Sequence, residues 1–455
     1  MSDVLEPNAA APAPWVSAYR ASDVEITQAV TAPLFASPGK FWWIALLVSA
    51  PFVAWLLAAL VWVFYEGIGV WGVNSTVVWG VAIADYVWWI GIGNAGTLIS
   101  AMLLLTRQRW RASINRFAEA MTLFAVAIAG LMPIVHLGRP IYAYWLAPYP
   151  NTMSLWPQWR SALVWDFWAI ISYLLFSILF WYVSLIPDLA TMRDRTRSRT
   201  GQLLYGAFAL GWSGSLRHWR ALRILHTTMA ALGVPLVCSV HSIVGLDFAA
   251  SLMPGWQESI FPPYFVVGAM YSGFAMVVVL ALAIRWGFGL QAIITRKHFD
   301  VIGRVLLMSS IVMGYSYATE WFMGWYGGAR SERSLVAFEF TGVYAPLFWA
   351  LLSCSVILPQ ALWFPRVRRS FAALFAIAIA INIGMWLERI LIVWNTLSHG
   401  YMPSLWRVFH FTIWDLAFVI APLGFFAFLF LIFVRLIPAV SMFDMRELAH
   451  RENVA

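Results

Sequence analysis

His136 and Asp166 are two of the ionisable side chains that interrupt the apolar runs of this sequence. A neutral imidazole near a carboxylate, between apolar aromatic walls, is suited to removing the two hydroxyl protons of a quinol. Desolvation and mutual interaction set the titration of such groups, and a histidine with an aspartate titrates as a coupled pair. Six further ionisable residues interrupt apolar runs in the same way: Asp85, Asp247, Glu320, Glu388, Arg389 and Asp415. An ionisable group inside a bilayer costs several kcal/mol unless paired or hydrated, so each needs a reason to be there. Asp166, in the aromatic run VWDFW, has no structural task unless something pairs or protonates it. The others also have plainer uses. His136 precedes Leu-Gly-Arg-Pro and serves equally as a helix end cap, and Asp247 can cap the turn that follows it. Glu388-Arg389 suits an ion pair between neighbouring helices. Glu320 and Asp85 suit proton relay or helix packing better than substrate contact.

Electrons removed from a quinol need an acceptor, and the sequence supplies none. Cys238 and Cys354 lie singly in different apolar segments, giving neither a disulfide framework nor the four thiolates of a cluster. His226 and His241 fall on one helix, about 22 Å apart at 1.5 Å per residue. That spacing suits a polar track along a helix face and cannot hold a single haem. Two bis-histidine haems would need facing histidines elsewhere, where His136 is the one further deeply embedded candidate. The chain is therefore expected to bind no metal, haem or iron–sulfur cluster, and the acceptor to belong to a partner docked on the same membrane face.

The elements that position these residues are membrane helices. Of 455 residues, 62% are hydrophobic and 11% charged, more apolar surface than a water-soluble fold can cover. A hydrocarbon core of ~30 Å takes roughly 20 apolar residues per crossing. Runs of that kind predict ten helices at about 41–65, 78–105, 114–136, 161–186, 223–249, 263–289, 303–323, 341–363, 371–394 and 412–437. Residues 1–40, Pro/Ala-rich and without a signal-peptide pattern, read as a cytoplasmic arm, and 438–455 as a cytoplasmic tail. With that orientation six of the 29 Lys and Arg (Arg139, Arg160, Arg330, Arg333, Arg389, Arg407) lie outside, and the rest lie inside. The basic runs at 107–111, 193–199 and 366–369 account for the net charge of +8 as topology anchors, so nucleic-acid binding is an unnecessary explanation. Tryptophans concentrate near span ends (Trp42, Trp43, Trp88, Trp89, Trp145, Trp156, Trp159, Trp321, Trp325), the headgroup level that such rings prefer. All eight ionisable residues named above then fall in the outer, periplasmic half, which points to a polar pocket or partner surface there.

An internal echo links the second and sixth helices. Tyr86 to Arg107 and Tyr264 to Arg285 start aromatic, carry a small-residue patch (Asn94-Ala95-Gly96; Ser272-Gly273) and end in Arg. Two four-helix bundles, about 78–249 and 263–394, with peripheral helices would follow.

Several motifs, in this order, carry a family resemblance: HLGRP with the aromatic, Pro-rich loop after it (136–150), SIVGLDFAASLMPGW (242–256), IFPPYFVVGAMYSGFAM (260–276), YGG (326–328) with Glu332 and Glu339 beyond it, and GMWLER (384–389). Together, from about 35 to 437, they resemble the NrfD/polysulfide-reductase membrane subunits, most closely the ActC-type quinol-oxidising subunit of bacterial alternative complex III. The resemblance implies a haem-free subunit of the bacterial inner membrane that oxidises menaquinol or another quinol near the periplasmic surface. Electrons would pass to an iron–sulfur cluster in a periplasmic partner and on through cytochrome c subunits carrying haem c, beside a paralogous NrfD-like membrane subunit. It further implies His136 and Asp166 as proton acceptors, Asp247 and Arg389 as residues lining the site, and Asp85, His226 and Glu320 as positions on a proton path.

Two other classes fit parts of the pattern. Intramembrane carboxylates and repeated bundles also mark secondary transporters, although transport sites sit near the midplane whereas these charges crowd to one face. A non-catalytic anchor or proton-path subunit would keep the helices without a working quinol pocket.

Overall fold

In the computed structural model, the described residues are Trp15, 22–147 and 157–454; half of the N-terminal arm and the end of the 136–150 loop, with Trp156, lie outside them. The protein is 80% helical, with no strand among the described residues. Among the described residues fifteen α-helices follow in chain order. They are α1 (Asp23–Phe35), α2 (Lys40–Glu66), α3 (Val81–Leu105), α4 (Asn115–Val135), α5 (Ala162–Arg195), α6 (Arg199–Phe208), α7 (Leu216–Ala249) and α8 (Phe261–Gly287). After these come α9 (Arg296–Tyr326), α10 (Arg330–Thr341), α11 (Ala345–Leu352), α12 (Pro365–Arg368), α13 (Phe371–Ser398), α14 (Ile413–Leu436) and α15 (Met442–Val454). Ten of them, α2, α3, α4, α5, α7, α8, α9, α11 with its continuation to Trp363, α13 and α14, are long and apolar enough to cross a membrane, the number expected. The chain is an all-α, polytopic integral membrane protein.

Helix is the form that lets a chain cross hydrocarbon with every backbone group bonded internally. Prolines 51, 133, 187, 235 and 422 sit inside these helices, as neighbours in a bundle permit. The eighth span differs from an uninterrupted helix. A π-turn at Ser353–Ile357 follows α11, and the Ser355 carbonyl it frees accepts the hydroxyls of Tyr271 (2.8 Å) and Ser310 (3.1 Å).

Packing sorts the spans. Helices α3, α4, α5 and α7 close one ring of contacts; α8, α9, the continuation of α11 to Trp363 and α13 close a second; α2 and α14 pair at the side. Three hydrogen bonds join α3 to α5, Tyr86 to Asp166, Tyr173 to the Gly93 carbonyl and Thr97 to Ser177, and each spans eighty positions, so the two helices run parallel in fixed register. The rings meet where α3 crosses α8. There a Cβ on Gly273 would stand 1.8 Å from the Ala95 Cβ, so the two small-residue patches are the contact itself. Helix α3 is the central element, almost wholly buried, whereas α2 shows Phe41, Val61 and Tyr65 outward, 88%, 70% and 79% exposed, as a lipid-facing helix does.

Candidate functional site

The span ends carrying His136, Asp166 and Asp247 lie on one side, opposite the arginine runs. Gly138, at φ +84°, turns the chain after His136 in a conformation that costs glycine least, and its carbonyl accepts the Ile68 N–H (3.4 Å) at the end of α2. His136 is half-buried at the end of α4; its Nδ1 lies 3.0 Å from the Pro133 carbonyl. Burial pushes its imidazole below the ordinary value, so the neutral ring is the resident form at neutral pH. A Cβ on Gly130 would stand 3.9 Å from the Ile170 side chain, so α4 and α5 lie side by side there, and their antiparallel course carries His136 toward the turn that holds Asp166. Among the described residues, no hydrogen bond joins the two.

Asp166 instead has partners from two other helices. The Tyr86 hydroxyl of α3 donates to Asp166 Oδ2, and Asp247 of α7 lies against the same carboxyl. Asp166 is 2% and Asp247 8% exposed, and one oxygen of each has no hydrogen-bond partner among the described residues. Two carboxyls this close act as one coupled unit. Aromatic pairs are built from residues near them in the chain: Trp168 faces Trp159 at 6.1 Å, and Phe248 packs edge-on to Trp256 at 5.0 Å, itself stacked on Trp79 at 5.5 Å. This arrangement can hold and pass protons in an apolar, aromatic setting.

Arg389 lies apart from that group, in the second ring. It pairs with Glu388 at 2.9 Å, and its guanidinium rests 4.0 Å over the Phe265 ring. Glu388 also accepts the Tyr317 hydroxyl. Gly268 makes room for this, since a Cβ there would come within 2.8 Å of Arg389 Nη2. Each ring therefore holds a tyrosine on a buried carboxylate.

Asp85 accepts the Trp386 indole N–H (2.6 Å) between the rings. Asp415 caps α14 with Thr412 and also accepts the Gly72 N–H (2.9 Å), a structural use. Glu320 is half-buried within electrostatic reach of Glu339, Glu258 and Glu388. Among those neighbours, burial raises Glu258 in the loop before α8 to about 7, with Glu332 adding to the rise, and burial raises Glu339 on α10 to about 7. His241 of α7 meets Asn94 of α3 at 2.8 Å, whereas His226 lies at the opposite end against Phe180, 4.8 Å between ring centres.

The one-sided distribution of buried charge is corrected by the arginine end. Arg116, Glu119 and Asp188 are each at most 1% exposed there: Arg116 pairs with Asp188 at 3.0 Å, and Glu119 accepts Ser100 (2.5 Å) and Ser184 (3.1 Å). Arg116 and Glu119 lie inside the apolar run 114–136, where their charge marks them. Tyr86, Tyr317 and Asn94 carry no such mark.

The sequence profile described as "Polysulphide reductase, NrfD" matches residues 69–398. A protein from Halobacterium salinarum (strain ATCC 700922 / JCM 11081 / NRC-1), named as a putative membrane subunit of dimethyl sulfoxide reductase, is 25% identical over 214 residues, 46% of this chain and 44% of that one. The chain thus spans less than half the length of that relative.

Proposed function

This chain belongs to the NrfD (polysulphide reductase) family, membrane subunits of quinol-linked oxidoreductase complexes, and from that premise we propose that it is the quinol-oxidising subunit of an alternative complex III. The observation that carries the reading is the buried Tyr86–Asp166–Asp247 group, on the same side as a neutral His136.

A quinol headgroup entering between the aromatic walls loses two protons and two electrons to become quinone. His136 takes one proton at its free ring nitrogen, and the Asp166–Asp247 pair takes the other. Tyr86 holds Asp166 in place, and Arg389 tunes the site from the second ring. The electrons leave to an iron–sulfur cluster in a periplasmic partner and then to cytochrome c subunits, with a paralogous membrane subunit alongside. In this reading the protein sits in the bacterial inner membrane with both termini cytoplasmic, menaquinol is the substrate class, and Asp85, Glu320 and His226 mark a proton path. The halobacterial relative's name favours a second reading, in which the same quinol site serves a reductase partner.

The test is quinol oxidation by the purified assembly, with His136→Ala and Asp166→Asn variants shown to assemble normally. Loss of turnover in both supports a catalytic subunit. Unchanged turnover in both moves the quinol site to another subunit and leaves this chain as an anchor or proton path.

A further inference from the structure

At the arginine end, an open cavity of about 520 Å³ lies between the end of α3 and the turn after it, α5, the start of α7 and α15. Five arginines line it, 107, 109, 111, 223 and 451, against two carboxylates, Asp444 and Glu447. Arg111 pairs with Asp444 (3.1 Å) and Arg451 with Glu447 (2.5 Å). That leaves Arg107, Arg109 and Arg223 without an ion-pair partner among the described residues, around a floor that includes Leu103, Leu104 and Leu222. Arg111 is 8% exposed, and its Nη1 is buried with no hydrogen-bond partner among the described residues.

Backbone geometry adds a second, independent observation. Helix α3 ends in a Schellman motif: Gln108 N–H donates to the Leu103 carbonyl (2.9 Å) and Arg107 N–H to that of Leu104 (3.1 Å). The position between, normally glycine, is Arg107 at φ +54°. A side chain held there is strained, and such strain is found where the side chain has a use.

The depth is that of lipid headgroups. Helix α7 has 34 residues, whereas a crossing takes about 20, so its charged first turns, as far as Arg223, have length to extend beyond the hydrocarbon. Basic pockets between spans at this level recognise anionic headgroups. We propose that this cavity binds the phosphate headgroup of an anionic phospholipid, with the three unpaired arginines on the phosphate and the acyl chains leaving along the leucines.

Native mass spectrometry of the purified full-length protein, delipidated and then given dioleoylphosphatidylglycerol, dioleoylphosphatidylcholine or inorganic phosphate, tests this. Phosphatidylglycerol should remain bound in preference to phosphatidylcholine and phosphate. The triple variant R107Q/R109Q/R223Q should weaken it about a hundred-fold. Equal retention of the two lipids overturns the proposal, as does inorganic phosphate displacing the glycerolipid at equal concentration, which would make this a free-anion site. The headgroup comparison needs wild-type protein alone, so failure of the triple variant to fold leaves the test intact.

Discussion

Tyr86 reaches Asp166 across two helices that share one register, the offset of eighty that also joins Gly93 to Tyr173 and Thr97 to Ser177. Sliding either helix by a residue would break all three contacts. The carboxylate's position thus depends on packing along the whole first ring as well as on its own turn of α5. Removing the hydroxyl with Tyr86→Phe keeps the ring and leaves the carboxylate one donor short, a loss of about 1–3 kcal/mol. We expect quinol turnover to fall about ten- to a hundred-fold with assembly intact. Steady-state rates on the purified complex check this, and an unchanged rate would remove Tyr86 from any positioning role.

His136 should set the acid side of the activity profile. Burial favours its neutral, proton-accepting form, so quinol oxidation should persist on acidification and fall only below the ordinary imidazole value near 6.5. A profile of kcat/KM against pH should lose that limb in His136→Gln. If the limb stays in place in the variant, another group supplies the base.

The spans were legible because hydrocarbon demands long apolar runs, and charges mark their ends. Residues 216–222 of α7 carry no apolar signal because RHWR is charged, and the π-turn at Ser353–Ile357 leaves no trace in a run that stays apolar. The small-residue patches on α3 and α8 were visible as an echo, but only the fold places them in contact. Asp166 and Asp247 stand out as carboxylates among rings. Their common partner Tyr86 does not, since an aromatic residue near a span end has a sufficient interfacial reason and its partner lies eighty positions away. His136 and Arg389 stand out in the same way, yet the fold gives each its own immediate contacts.

The glycine at the ring crossing should be nearly irreplaceable. Gly273→Ala puts a methyl 1.8 Å from the Ala95 Cβ, so the helices must separate, at about 1–3 kcal/mol or more. A thermal midpoint several degrees lower in detergent is expected, with partial rescue by Ala95→Gly. No change in Gly273→Ala would mean that α3 and α8 yield easily.

Glu258 and Glu339 should make stability fall as pH rises. Burial raises both from 4.5 to about 7, so the folded state holds their protons more tightly than the unfolded state. The resulting stabilisation is full below 4.5 and lost as pH rises through about 7. Glu258→Gln and Glu339→Gln should therefore match wild type near pH 5 and exceed it near pH 8 in thermal unfolding. Parallel curves for variant and wild type would contradict this sign.

At the arginine end, Arg116 is fully buried and donates to the Ser184 carbonyl (2.9 Å) as well as pairing with Asp188, which in turn accepts the Met442 N–H (3.2 Å) and so ties the C-terminal helix to α5. Removing one partner strands a buried charge, which costs about 3–5 kcal/mol, whereas replacing both with apolar residues of similar volume is often nearly neutral. Asp188→Leu alone should therefore lower the thermal midpoint sharply, and the Arg116→Met/Asp188→Leu double variant should recover most of the loss. That non-additivity is the decisive quantity, since a structural role for Asp188 through Met442 alone would leave the double variant as unstable as the single one.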